Sequence, residues 1–115
     1  MRHARGETKL RVMFGSEIAI GPGKAELLAA IAETGSISAS AKRLGMSYRR
    51  AWLLVDTMNR CFREPVVASA TGGPGGGGAQ VTAFGRQVLD RYRAMRACVD
   101  RALDPELVRF SRLLK

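Results

Sequence analysis

Small residues at 41, 45 and 51 constrain the stretch SASAKRLGMSYRRAWLLV, from Ser38 to Val55, more than anything else in the chain. Ala39, Ala41 and Leu44 precede the glycine at helical spacing, and Ala51, Leu54, Val55 and Met58 follow it at the same spacing. The pattern predicts two short helices meeting across a tight turn. Such a crossing needs small side chains at the contact, a glycine at the turn and apolar residues that lock the second helix in place; Ala41, Gly45 and Ala51, with Leu44, Met46 and Leu54, meet these needs. Ser38 is expected to cap the first helix, with Ile37 stapled onto it, and Ser47 to cap the second, which runs to about Cys61.

The outer face of that second helix then presents Ser47, Tyr48, Arg49, Arg50 and Trp52 near its start, where a recognition helix enters a major groove. An arginine on a helix is by default a solvated charge. Here a net charge of +9 over 115 residues favours a polyanionic partner, and nucleic acid leads. Tyr48, polar-tipped and beside the cap, suits contact with phosphate or base. Trp52 fits core packing and groove contact equally, because one face of an indole can pack while its edge reaches out. Lys42, Arg43, Arg60 and Arg63 serve as phosphate contacts or as solubilising charges, and the sequence does not separate the two.

A chain of this length forms one domain around one core. No apolar run is long enough for a bilayer, and the basic N-terminus lacks the apolar segment of a secretory signal. Cys61 and Cys98 are too few for a disulfide framework, so a reducing cytoplasm is expected. His3 is the lone histidine, and no carboxylate pair, metal-ligand cluster or nucleophile constellation points to an enzyme, a metal or a cofactor.

Elsewhere the chain alternates as a strand from Thr8 to Phe14 and turns helical from Lys24 to Thr34, with Gly35 as its C-cap. Val66 to Thr71 and Ala79 to Thr82 read as two strands around Gly72–Gly78, a run of six glycines and one proline. A Walker loop would need Lys-Ser or Lys-Thr after the last glycine, where Ala79 and Gln80 stand, and a dinucleotide fingerprint would need a helix to open directly from the glycines. A hairpin tip remains. Thr82 caps a last long helix with the stripe Phe84, Val88, Tyr92, Met95, Val99 and Ala102, and Asp104-Pro105 is expected to break it before a short terminal helix. The fold class is mainly α with a small β-hairpin, divided into a flexible N-terminus (1–7), a domain over 8–103 and a terminal helix (104–115).

The segments AETGSISASAKRLGMSYRRAWLLVDTMN and VVASATGGPGGGGAQVTAFG resemble the N-terminal DNA-binding domain of the ModE family of molybdate-responsive regulators, related to the LysR-type helix-turn-helix. The resemblance covers roughly residues 8 to 100. It implies a winged helix-turn-helix with a long dimerisation helix, acting as a homodimeric transcriptional regulator on double-stranded, palindromic operator DNA. By this resemblance Ser36, Ser38, Lys42, Arg43, Ser47, Tyr48, Arg49, Arg50, Trp52, Thr71, Gly72 and Gly73 contact DNA, and Leu10, Val12, Phe84, Val88, Tyr92, Met95 and Val99 form the dimer interface. Pro74 stands where relatives often carry a basic residue in the wing. Family regulators continue into molybdate-binding domains, so molybdate binding is not expected within these 115 residues.

Overall fold

A computed structural model describes residues 4–70 and 78–115. Thr71, Gly72 and Gly73, and with them the expected hairpin tip, lie outside the described residues. The chain runs β1 (Val12–Phe14), β2 (Glu17–Ile20), α1 (Pro22–Thr34), α2 (Ile37–Leu44), α3 (Tyr48–Cys61), β3 (Val67–Ala70), β4 (Gly78–Val81) and α4 (Ala83–Ser111). It is mostly helical, with two antiparallel hairpins, β1–β2 and β3–β4. Among the described residues no helix is long and apolar enough to cross a membrane.

The core gathers on α1, whose Leu27, Leu28 and Ile31 are fully buried, and is closed by Ala41 of α2, Ala51, Val55 and Met58 of α3, Val66 and Val67, and Leu89 and Tyr92 of α4. The α2–α3 corner forms as its spacing predicts. Ala41 and Ala51 are buried, and Gly45 adopts φ 70°, a left-handed conformation that costs glycine least. The Met46 N–H donates back to the Ala41 carbonyl at 3.0 Å and fixes the turn. At the other end of α3 the β3–β4 hairpin packs against the bundle, with Val67 opposite Val81 and Ala70 opposite Gly78.

Three sequence expectations are corrected. The cap of α2 is Ser36 rather than Ser38: Ser36 has extended backbone and its Oγ accepts the Ala39 N–H at 3.0 Å, while Ser38 is exposed in the first turn. Buried Ser40 decides between them. Its Oγ donates to the Ser36 carbonyl at 2.7 Å and lies 2.8 Å from Thr34 Oγ1, and the Ser36 N–H donates to that same Thr34 oxygen, so Ser36 is held in the capping position. Ser36→Ala is therefore expected to cost about 1 kcal/mol in urea denaturation and Ser38→Ala only a few tenths. Equal losses would return the cap to Ser38.

The second correction concerns strand one, expected over Thr8 to Phe14. The ladder is confined to Val12–Phe14 and is completed by β2, which alternation did not reveal. Gly15 and Ser16 form the two-residue turn between them.

The third concerns Pro105. The expected break and separate terminal helix do not occur, and α4 runs 29 residues with Pro105 inside it. Proline removes one helical hydrogen bond and crowds the carbonyl four residues earlier, and tertiary contact must offset that loss. The residues expected as a loose N-terminal end supply such contact. The Ala4 N–H donates to Ser111 Oγ at 2.9 Å, and Gly6 abuts Leu103 and Leu107 on either side of the proline. Nearer the core, Tyr92 Oη donates to the Leu10 carbonyl at 2.8 Å, so residues 4–10 run along α4 between Ser111 and Tyr92.

Candidate nucleic-acid interface

Helix α3 begins at a well-formed cap, with Ser47 Oγ accepting the Arg50 N–H at 3.1 Å. Ala51, Val55 and Met58 face the core, while Tyr48 at the first turn and Arg49, Arg50 and Trp52 are exposed. Trp52 is 48% exposed and Tyr48 55%, which favours the outward reading of the indole over core packing. Both line a cleft of about 440 Å³ together with Ser36 and Ser38 at the start of α2 and Ser69 and Ala70 of β3. The N-terminal ends of α2 and α3 and the Ala70/Gly78 end of the β3–β4 pair thus converge on one surface.

Ion pairing separates the basic residues that the sequence left undivided. Arg43 is paired with Glu33 across the α1–α2 corner. Arg60 holds Asp56 at 3.1 Å and Glu17 at 3.7 Å, and its hydrogen bond to Asp56 raises the guanidinium above its ordinary value. Arg63 meets Glu64 at 3.8 Å and lies over the Phe84 ring. Arg49, Arg50 and Lys42 are exposed and, among the described residues, have no carboxylate within ion-pair distance. Behind them Lys24 is nearly buried, and desolvation holds its ammonium below the usual lysine range against the opposing pull of Cys61 and Glu17. An anion approaching α3 therefore meets guanidinium groups that have no ion-pair partner among the described residues.

Ser36 and Ser47 spend their hydroxyl oxygens on the helix N-termini, so each is first a cap, whereas Ser38 is exposed at the edge of the cleft. The residues expected at a dimer interface divide in two. Leu10, Val12, Phe84 and Val88 pack partly against the chain's own core, Phe84 edge-on to Phe62 at 6.3 Å, and Tyr92 is 4% exposed. Met95 is exposed and Val99 half-buried on the projecting part of α4.

Asn59, part of the Met58-Asn59 pair that contributes to the family resemblance, is given no role by the sequence. Its Oδ1 accepts the Val66 N–H at 2.8 Å and the Val67 N–H at 3.3 Å, and its Nδ2 donates to the Val67 carbonyl at 3.1 Å. The available signal was its place one turn beyond Val55, which puts a hydrogen-bonding amide on the inner side of an amphipathic helix.

The chain is mostly helical, with a two-helix corner, a following hairpin and an exposed, basic start to α3. No protein-family model matches it. It is 45% identical over 84 residues to the molybdenum-pterin-binding protein MopB of Rhodobacter capsulatus, 73% of this chain and 31% of that protein. It is 42% identical over 86 residues to the molybdenum transport protein ModE of Azotobacter vinelandii, covering 75% and 32% of the two chains. With the DNA-binding transcriptional dual regulator ModE of Escherichia coli K12 the identity is 35% over 100 residues, 87% of this chain and 38% of that one. The chain is thus related to the ModE and Mop proteins, and it spans about a third of the length of these curated relatives.

Proposed function

We propose that the chain is a winged helix-turn-helix DNA-binding module of a ModE-type transcriptional regulator and works as a homodimer. In this reading α2 and α3 are the helix-turn-helix, α3 is the recognition helix, the β3–β4 hairpin is the wing, and the projecting part of α4 with Met95 and Val99 joins the second copy. Each recognition helix reads one half-site of a palindromic operator, the two about 34 Å apart. The observation that carries the reading is the start of α3. Arg49 and Arg50 are exposed there without acidic partners among the described residues, beside outward-facing Tyr48 and Trp52, while Arg43, Arg60 and Arg63 are paired.

Arginine pairs bidentately with guanine, and each good pair contributes about 1–3 kcal/mol of discrimination. Arg49→Ala or Arg50→Ala is expected to weaken binding to the footprinted operator by roughly tenfold or more while changing binding to random duplex far less. An equal loss on both duplexes makes that arginine a phosphate contact, and no wild-type footprint upstream of its own or neighbouring genes sinks the proposal. The names of the Mop relatives favour a second reading, in which these residues also take part in molybdenum binding. The same titration repeated with molybdate separates the two. Unchanged affinity is expected where sensing lies outside this chain or in a separate protein, and a molybdate-dependent shift favours the second.

A further inference from the structure

The hairpin is joined to α4 by the Thr82 bonds to the Val66 and Pro65 carbonyls, and to the other helices by two attachments of different kinds. On the β4 side the Ala79 N–H donates to the Gly35 carbonyl at 3.0 Å, a backbone bond that no side chain controls. On the β3 side the attachment is the Asn59 carboxamide in the last turn of α3, which uses both its oxygen and its nitrogen on Val66 and Val67. Val66 is fully buried and Val67 is 5% exposed, so little water is at hand to replace those bonds. Val67 is in register with Val81, so its placement carries β4 with it. Because α3 also carries Tyr48, Arg49, Arg50 and Trp52, one amide ties the helix that displays those groups to the strand that begins the hairpin.

We propose that Asn59 is a positioning residue that sets the pitch of the β3–β4 hairpin against α3, so that helix and hairpin meet one DNA duplex together. The functional half of this statement rests on the DNA-binding reading above, while the structural half does not. Asn59 itself faces the hairpin root and need touch no nucleotide. Its loss leaves the hairpin held by the Gly35 anchor, by the Thr82 bonds to the Pro65 and Val66 carbonyls and by the packing of Val66, Val67 and Val81, with β3 beyond Val66 no longer tied to α3 by a side chain.

The test uses N59A and N59D in the full 115-residue chain. In N59D a carboxylate still accepts the Val66 and Val67 N–H groups, while the donor to the Val67 carbonyl is replaced by an oxygen that repels it. In the free protein, residual dipolar couplings of backbone amides are expected to show 67–70 and 78–81 reoriented against α3 in N59A, with α1, α2 and α3 mutually unchanged and N59D intermediate. Wild-type couplings in N59A overturn the proposal, whatever happens with DNA. Should N59A not fold, N59D is compared with wild type by the same couplings, and unchanged values there overturn it.

On operator DNA, N59A is expected to bind about tenfold more weakly, with the slope of log affinity against log salt reduced by about 1 for each phosphate contact the hairpin loses. The discrimination between operator and random duplex supplied by Arg49 and Arg50 is expected to persist. A weaker N59A with an unaltered salt slope means only less folded protein and overturns the positioning role. Failure of the wild type to bind any duplex defeats the DNA reading instead, and the free-protein couplings then decide the anchor alone.

Discussion

Gly85→Ala is expected to destabilise the protein by about 3 kcal/mol and to lower Tm by roughly 10 °C, although glycine-to-alanine in an open helix would stabilise by about 1 kcal/mol. The sign reverses because α4 starts against the root of the hairpin. A Cβ on Gly85 would stand 2.2 Å from the Val66 carbonyl oxygen, 2.9 Å from its carbon and 2.9 Å from Val81 Cγ1. These neighbours are backbone and buried side chain. The same carbonyl accepts the Thr82 N–H at 3.0 Å, and Thr82 Oγ1 both caps Gly85 and donates to the Pro65 carbonyl at 2.7 Å. Moving Val66 aside therefore breaks the joint between α4 and β3 as well as crowding it. Thermal and urea unfolding followed by circular dichroism measure the effect, and a variant as stable as wild type shows that helix and strand do not approach this closely.

Ala51→Leu is expected to cost a similar amount, about 3 kcal/mol, and, on the DNA-binding reading proposed above, to abolish operator binding even at temperatures where the helical signal survives. Ala51 is fully enclosed where α3 crosses α2, and Ala41 on the facing helix is 2% exposed. Three added carbons have no space there, so α3 must lift or rotate on α2. That movement redirects Arg49 and Arg50, its immediate neighbours, and a recognition surface fails by displacement before the domain fails by unfolding. Ala39→Leu is the control, since Ala39 is exposed on α2 and leucine there is expected to change stability by less than about 0.5 kcal/mol. Retained operator affinity in Ala51→Leu means that the crossing tolerates bulk and does not set the direction of α3.

Local rules were enough where the deciding atoms are neighbours in sequence. Gly35 and Gly45 end α1 and α2, Ser47 and Thr82 cap α3 and α4 with bonds to the N–H three residues on, and α3 spans the residues its periodicity predicts. The i,i+4 pair Asp56–Arg60 belongs to the same kind. Reading failed where two local answers were equally good or where a distant partner decided. Ser36 and Ser38 both satisfy the capping rule, and the buried hydroxyl of Ser40 selects the first. Pro105 is a sound stop signal, yet the N-terminal segment packs on Leu103 and Leu107 and the helix continues.

The candidate surface divides in the same way. That Arg49 and Arg50 lie opposite Ala51 and Val55 follows from helical geometry alone. That Arg43 is engaged by Glu33 and Arg60 by Glu17 follows only from how α1, α2, α3 and β2 come together. Asn59 is the strongest instance, because nothing in its neighbourhood announces that its amide will meet Val66 and Val67. The sequence by itself determined the helices, the small-residue corner, the outward basic face and the excess of positive charge, since these depend on periodicity and composition. Tertiary structure alone decided that Arg43 is held by Glu33 and Arg60 by Glu17, which serine caps α2, and how the hairpin is tied to α3. Those outcomes turn on hydrogen bonds and ion pairs between elements, which form only at a few ångströms and only after the core has brought the elements together.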